Sequence, residues 1–522
     1  MYYTFLYNEV VFMRKRIFSI TFYMILAVFS SWLVCYAEEH EILNIGQTRQ
    51  LFIDDALIDS CIGRAELRLH HPVRRGIALT HDALWEGNGC GYHTVFKDGE
   101  IYRMYYKAWQ IGTGGKVTNP VVICYAHSTD GINWEKPSLG LVEFDGSKEN
   151  NIILEQINGY GCHDFSPFID ERPGVARKHK YKAVGFVRGL QERKGLYGLV
   201  SADAIHWERV QEDFIITDEG WVFDTQNIVF WSEMEQSYVM YYRKTFDNVR
   251  NIARAISPDF LHWEKQGLVD FQGQGPHELE QFYTNQIRPY YRALHIYIGF
   301  PSRYCDRGWL GATDALPSPT LRRDRAQGQT RYGSAVTDAL LISSRDGRQF
   351  YRWNDAFIRP GLRTRHNWAY GDNYAAWHVV ETQSEFDDQP AELSIYATES
   401  YFTGNMSRLR RYTLRLDGFA SIYAPSEGGE VISKPMIFRG DALRLNFSTS
   451  AAGKMQIEIL DESGKPVPGF RREECELIFG DALDYPVQWT GERDLNDIQG
   501  KRVRLRFILR EADVFSFQFT NE

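Results

Sequence analysis

Between about residues 90 and 425, apolar and polar positions alternate with period two in short runs, and Gly-, Ser- and Asp-bearing turns separate them. That is the pattern of half-buried strands. The clearest runs are aromatic and lie at 102–106, 181–185, 238–242, 295–299 and 393–397. A further run precedes each of them, at 92–96, 164–169, 225–230, 283–287 and 374–378. After four of the pairs comes one turn motif, S-x-D-x-x-x-aromatic, at 128–134, 201–207, 257–263 and 344–350. Its Ser and Asp are suited to bond backbone N–H groups of a tight turn, and the aromatic residue starts the next strand and packs on its neighbour. A degenerate fifth copy lies at 416–419. Repeats spaced by 56 to 87 residues suit four-stranded units with variable loops, so the pattern predicts five blades of a β-propeller. A two-sheet sandwich would explain the alternation but not the recurring turn.

From about Glu427 the turn motif ceases and short strands appear at 443–447, 455–459 and 503–507. The expected architecture is all-β: a five-bladed propeller over 45–426, followed by a small β-sandwich over 427–522. Residues 1–37 read as a signal peptide. Arg14, Lys15 and Arg16 precede a nearly unbroken apolar stretch, and cleavage is expected after Ala37, with Met13 as an alternative start. An uncleaved anchor is the rival reading. The expected location is secreted or periplasmic, with no stable membrane span once the leader is removed.

Composition sharpens this picture. The chain has 30 Tyr, 32 Phe and 13 Trp, in keeping with an aromatic-rich β protein. Its formal charge of −9 offers no basic field for a phosphate backbone, so nucleic acid is not an expected partner. Six of the seven Cys lie beyond the leader; none has C-x-x-C spacing, and scattered buried thiols are favoured over disulfides.

In a propeller the innermost strand of each blade lines the axis, and every predicted inner segment carries an acid near its start: Glu86, Asp164, Asp224, Glu278 with Glu280, and Asp372. Around them stand Tyr92, His93, His163, Gln226, Asn227, Tyr283, Asn285, Trp368 and Asn373, a set suited to sugar hydroxyls and ring faces. Glycosidic bond hydrolysis needs two carboxyl groups in different protonation states, and a ring of acids supplies candidates. The expected catalytic acids are Asp164, Asp224, Glu280 and Glu86. The other axial groups (His93, His163, Gln226, Asn227, Tyr283, Asn285, Asp372 and Asn373) are expected to bind substrate. The competing role for any single acid is capping a loop or pairing with Arg.

Other constellations carry less. His70, His71 and His163 lack zinc-ligand spacing, so no metal ligands are assigned. No cofactor is required, although axial carboxylates could hold a calcium ion. The Gly-rich run 112–115 lacks the Lys-Ser/Thr of a phosphate cradle and reads as a blade loop. The basic run 321–325, with Arg331, reads as a solvated surface loop in an insertion of the fourth blade, with an acidic or sulfated glycan as its conceivable partner.

The S-x-D-x-x-x-W turns, the segment around Asp164 and the trailing strands together resemble the five-bladed β-propeller glycosidases of glycoside hydrolase families 32, 43, 68 and 130, with a C-terminal sandwich as in family 32. The resemblance implies a first-blade Asp as nucleophile or base, a second acid as transition-state stabiliser and a third as general acid. Asp164 matches the stabiliser, and Asp224, or else Glu280, the acid. The first blade departs from the pattern: residues 89–93 hold no Asp, which leaves Glu86, or Asp372 from another blade, as base, or else a protein that binds glycans without cleaving them. The expected function is a secreted glycoside hydrolase acting on an oligo- or polysaccharide as a monomer or small homo-oligomer. The alternatives are a non-catalytic glycan-binding propeller and a propeller lyase or phosphorylase.

Overall fold

A computed structural model describes residues 42–187, 194–490 and 493–521. The proposed leader lies outside the described residues. Five sheets succeed one another along the chain, all antiparallel except for one parallel edge pair, Asp270–Gln272 with Gln349–Arg352, in the fourth. The first joins Gly91–Asp98, Ile101–Ile111, Val117–Ser128 and Ile152–Leu154, and the second is centred on Tyr160–Ile169, Tyr181–Val187 and Gly195–Ser201. The third joins Ile228–Ser232, Ser237–Phe246, Val249–Ser257 and Glu264–Leu268. The fourth, built on Ala293–Gly299 and Ile342–Ser344, continues past Pro301 as a separate three-stranded sheet of Gln281–Phe282, Ser302–Cys305 and Val336–Ala339. Pro301 has no N–H to donate, which accounts for the ladder breaking there. The fifth joins Val380–Thr382, Glu392–Glu399 and Arg408–Leu414, and takes its outermost strand from Val73–Thr80, far back in the chain.

The ring closes at its centre as well. The Trp377 N–H donates to the His93 carbonyl at 2.8 Å, tying the inner segments of the fifth and first blades. At the same depth Gln226 Nε2 donates to Thr94 Oγ1 (2.9 Å), while Gln286 Nε2 donates to Gln226 Oε1 (2.8 Å) and to the Ala375 carbonyl (2.7 Å). Four blades thus share one buried hydrogen-bonded bar across the axis, which leaves a separate cavity at each end.

The repeated turn forms as its sequence predicts. In all four copies the Ser Oγ accepts the N–H of the residue three ahead at 2.9 Å. The Asp Oδ1 accepts the next two N–H groups at 2.7–2.9 Å. The fourth residue of each copy has positive φ: Gly131, Ala204, Phe260 and Gly347. Its carbonyl is then turned toward the preceding blade, where Tyr396, Tyr105 and Tyr241 donate their hydroxyls to Gly131, Ala204 and Gly347. Strand aromatics and turn chemistry together therefore latch blade to blade.

The C-terminal strands differ from the expected self-contained unit over 427–522. They belong to a ten-stranded network that also includes Leu43–Gly46, Gln50–Leu51, Ile58–Gly63, Glu66–Leu69 and Ala420–Ala424. Val73–Thr80 is the first strand to join one of the five successive sheets, while the strands before it pair in this network. Two long bent strands, Ala442–Asp461 and Arg502–Thr520, carry the network, and Phe52, Phe447, Phe507, Phe517 and Phe519 fill its core. The fifth turn copy has a different task. The buried carboxylate of Asp417 accepts from Tyr290 (2.8 Å), Arg292 (2.8 Å) and Ser516 (2.8 Å), joining the fourth blade to this network. All six cysteines beyond the leader are free thiols.

Candidate functional site

One mouth of the axis lies where the inner segments begin. There the chain leaves ordinary strand geometry, with Tyr92 and Phe223 at φ 56° and 62°. Such strain in non-Gly residues is held only where surrounding contacts over-determine it. For Phe223 that contact is its N–H donating to the Arg243 carbonyl at 3.1 Å, and it sets the direction in which Asp224 leaves the backbone.

Two acids meet at this mouth, one on either side of a single imidazole. Asp164 Oδ1 is 3.7 Å from His163 Nδ1, and Asp224 Oδ1 is 3.5 Å from His163 Nε2. Lys107 Nζ lies 3.3 Å from the same Nε2, placing an ammonium beside both acids. The two carboxyls sit in contrasting surroundings. Asp164 is fully buried; its Oδ2 accepts from Asn227 Nδ2 at 3.2 Å, and its Oδ1 has no hydrogen-bond partner. Burial pushes its carboxyl well above the usual range, against the opposing pull of Asn227 and Lys107. Asp224 is about a third exposed and lines a cavity of about 580 Å³.

The cavity has two kinds of wall. One is aromatic: Tyr332 and Phe186 line it, and Trp221 stands 70% exposed at the rim. Behind these, Tyr283 stacks on Tyr374 with ring centres 5.2 Å apart and shares a 2.5 Å hydroxyl contact with Tyr370. The other wall is cationic, formed by Arg243, Arg250, Arg331 and Lys194. Arg243 donates to the carbonyls of Asp224 and Tyr283 at 2.5 Å each and lies 4.2 Å over the Tyr283 ring. Burial alone would push the Tyr283 phenol up, but Arg331, Arg243 and Arg250 outweigh it and bring the phenol down to about 7.

The structure therefore brings together Asp164, Asp224, His163, Asn227 and Tyr283 out of the residues expected from sequence. The others lie elsewhere or serve other partners. Glu86 is buried with its carboxylate filled by Tyr106 Oη (2.5 Å), the Ala83 N–H (2.9 Å) and Lys136 Nζ (2.7 Å). Glu280 pairs with Arg352 (2.7 Å) and Arg303 (3.4 Å). Asp372 accepts the Tyr401 and Ala369 N–H groups, each at 2.8 Å, and so caps a turn. His93 is buried against His81, with Nε2 atoms 3.1 Å apart, and Gln226 belongs to the axial bar. Asn285 and Asn373 bond backbone carbonyls, of Tyr241 and Thr337 respectively. Most of the polar atoms that were to meet sugar are taken by side-chain and backbone partners within the fold, while His93 Nδ1 is buried without one.

The basic run 321–325 is not a solvated loop. It lies in a helix, Pro319–Ala326, where Arg322 and Arg325 are buried and donate to backbone carbonyls, those of Ile111 and Gly112 included. This helix packs on the Gly-rich run 112–115, and a Cβ at Gly115 would fall 2.7 Å from the Arg325 carbonyl. Arg331, beyond the helix, does reach the cavity. Sequence reasoning missed Lys107, Arg243, Arg250 and Trp221. A signal was present: Lys107 and Arg243 each follow a Tyr-Tyr pair in the second strand of a blade, and both are buried at the axis. Among the described residues no group of three or more His, Cys, Asp or Glu side chains could hold a metal ion, and no helix is long and apolar enough to cross a membrane.

No protein-family model matches the chain. An uncharacterised protein of Mycobacterium tuberculosis is 29% identical over 136 residues, 26% of this chain and 39% of that protein. Exodeoxyribonuclease I of Buchnera aphidicola is 28% identical over 135 residues, 23% of this chain and 32% of that protein. The chain thus spans well under half the length of these curated relatives. Among solved structures it is similar to an N-acetylgalactosamine deacetylase from F. plautii in complex with blood group B trisaccharide, with TM-score 0.45 and 10% identity over 68% of this chain and 96% of that one. It is also similar to a thermostable family-43 glycoside hydrolase, with TM-score 0.40 and 12% identity over 65% and 93%. A third is a Bombyx mori GH32 β-fructofuranosidase, with TM-score 0.39 and 8% identity over 87% and 94%.

Proposed function

We propose that the protein is an exported glycoside hydrolase working at the mouth of the propeller axis that holds Asp164, His163 and Asp224. The observation that carries this reading is the contrast between the two carboxyls. Burial favours a proton on Asp164, whereas Asp224 faces the cavity. His163 lies between them, 3.7 Å from Asp164 and 3.5 Å from Asp224. Cleavage requires that the leaving oxygen gain a proton as its bond to the anomeric carbon breaks, and that water, losing a proton, bond to that carbon. In this reading Asp224 touches the substrate and exchanges the proton, and His163, with the buried Asp164 behind it, sets its electrostatic surroundings. Lys107 balances the charge. Trp221 and Tyr332 offer flat faces for sugar rings. The chemistry calls for no cofactor, and export rests on the basic and apolar run at 14–37.

A second reading is a lyase at the same mouth, where the Tyr283 hydroxyl lies 2.5 Å from that of Tyr370 and its phenol is drawn down by Arg331, Arg243 and Arg250. The test is reducing-sugar release by residues 38–522 across neutral, uronic and sulfated oligosaccharides, with Asp224→Asn and Asp164→Asn beside the wild type. Asp224→Asn is expected to lower turnover by about 10²- to 10⁴-fold with an unchanged melting temperature. An ultraviolet-absorbing unsaturated product would replace the hydrolase reading with the lyase, and a requirement for phosphate would point to a phosphorylase. Glycan binding without turnover would leave a lectin-like propeller.

A further inference from the structure

The geometry points to an anionic glycan as the ligand of this cavity, its carboxylate or sulfate group held by Arg243, Arg250 and Arg331. The inference rests on the reading of the cavity as a glycan site and adds the charge class of its occupant. Three observations carry it.

The first is the absence of carboxylate salt bridges. Among the described residues no carboxylate forms a salt bridge with any of the three guanidiniums. Arg250 donates to Gln281 Oε1 (2.5 Å), Arg331 to Gln329 Oε1 (2.8 Å), and Arg243 to two backbone carbonyls. Elsewhere in the chain, enclosed arginines either find acids, as Arg254 does in Glu235, Arg352 in Glu280 and Arg411 in Glu392, or, like Arg322 and Arg325, spend their donors on backbone carbonyls without lining this cavity. The second is burial. Arg243 is 5% exposed, and its Nε is a buried donor with no acceptor. Leaving a buried guanidinium short of partners is costly unless a ligand supplies them. The third is convergence. The three residues come from two strands of the third blade and from the fourth-blade insertion, yet all line one cavity together with Lys194, against the single carboxylate of Asp224. Aromatic rings hold the guanidiniums in place: Arg250 lies 4.9 Å over Tyr304, and Arg331 lies 5.4 Å over both Tyr332 and Tyr370. A planar fork fixed in this way matches the planar or tetrahedral oxygens of a carboxylate or sulfate better than it matches sugar hydroxyls.

The test is calorimetric binding to the Asp224→Asn protein, so that turnover plays no part. The probes are matched pairs: a galacturonic acid tetramer and its methyl ester, and a sulfated galactan tetramer and its desulfated counterpart. One charged member is expected to bind at least about tenfold more tightly than its uncharged twin, more weakly as salt is raised. Which pair discriminates tells carboxylate from sulfate. Arg331→Gln and Arg250→Gln, added singly to spare the deeply buried Arg243, are each expected to cost about tenfold for the charged member and little for the neutral one. Equal binding within both pairs, including failure to bind any probe, overturns the inference. The two readings fail separately: charge-selective binding without turnover by the wild type sinks the hydrolase and leaves the anion site standing. Turnover of neutral glycans that Arg331→Gln leaves intact does the reverse.

Discussion

Asp164 and Asp224 on one side, and Glu86, Glu280 and Asp372 on the other, occupy similar places in the sequence, each near the start of an inner segment, yet the fold treats the two groups differently. The carboxylate of Glu86 is consumed by a phenol, an amide and an ammonium, that of Asp372 by two amides, and that of Glu280 by two guanidiniums. Asp164 keeps one oxygen without a hydrogen bond, and Asp224 lines the cavity beside the same imidazole. The lesson is that register selects where an acid stands, while the supply of local donors decides whether it is structural or chemical. A carboxylate saturated by its own fold has little left to offer a substrate.

Replacing Glu86 tests that division most severely. Glu86→Gln removes the buried partner of Lys136 and is expected to destabilise the protein by about 2–4 kcal/mol, read as a lower denaturation midpoint. Activity per folded molecule should stay within about twofold, in contrast to the large loss from Asp224→Asn. A loss of turnover with stability kept would move Glu86 to the chemical group and erase the distinction.

Asp372 sharpens the comparison through pH. Burial raises its carboxyl to about 8, even though the amides of Tyr401 and Ala369 favour the charged form. Its folded value thus lies above the unfolded one, about 3.9. The stability it contributes is complete below pH 4 and declines as pH rises toward 8. Asp372→Asn should flatten this part of a melting-temperature profile measured between about pH 4 and 8, with the pH dependence of turnover unmoved. An unchanged slope would show that the carboxyl is already ionised in the fold.

These acids also mark how far the chain could be read unaided. The strands and turns were legible because they are local: period-two aromatics and a seven-residue motif carry their own geometry. The closing strand Val73–Thr80 was not, since it pairs with Arg408–Leu414 more than 300 residues away and the choice of that edge is made by ring closure alone. For the same reason strands 43–69 read as propeller although they pair in the C-terminal network. At the site, Asp164, His163 and Asp224 were legible as acids and an imidazole in inner segments. The cationic wall was not, because Arg243 and Arg331 meet only through the packing of two blades. Arg322 and Arg325, nine and six residues before Arg331, spend their charge on backbone carbonyls instead.

The smallest effect belongs to the turns, where an acid is structural by design of the local sequence. Burial opposes the charge of Asp130, yet the N–H groups of Asn133 and Ile132 together outweigh it and hold its carboxyl down at about 2, and Asp259 is held at about 2 against its own burial by the His262 ring and the His262 and Leu261 N–H groups. A depressed folded value gives stability that is present above the unfolded value near 4 and lost as pH falls toward 2. Asp130→Ala removes both amide contacts and should cost about 1 kcal/mol at neutral pH, comparable to losing a helix N-cap. The cost should shrink on acidification, because the wild type forfeits the same bonds there. Gly131, with its positive φ, keeps the turn itself accessible, and the Tyr396 hydroxyl still holds its carbonyl. Denaturant midpoints at neutral pH and near pH 3 check this: a deficit that stays constant across that range would mean that the turn depends on the shape of Asp130 and not on its charge.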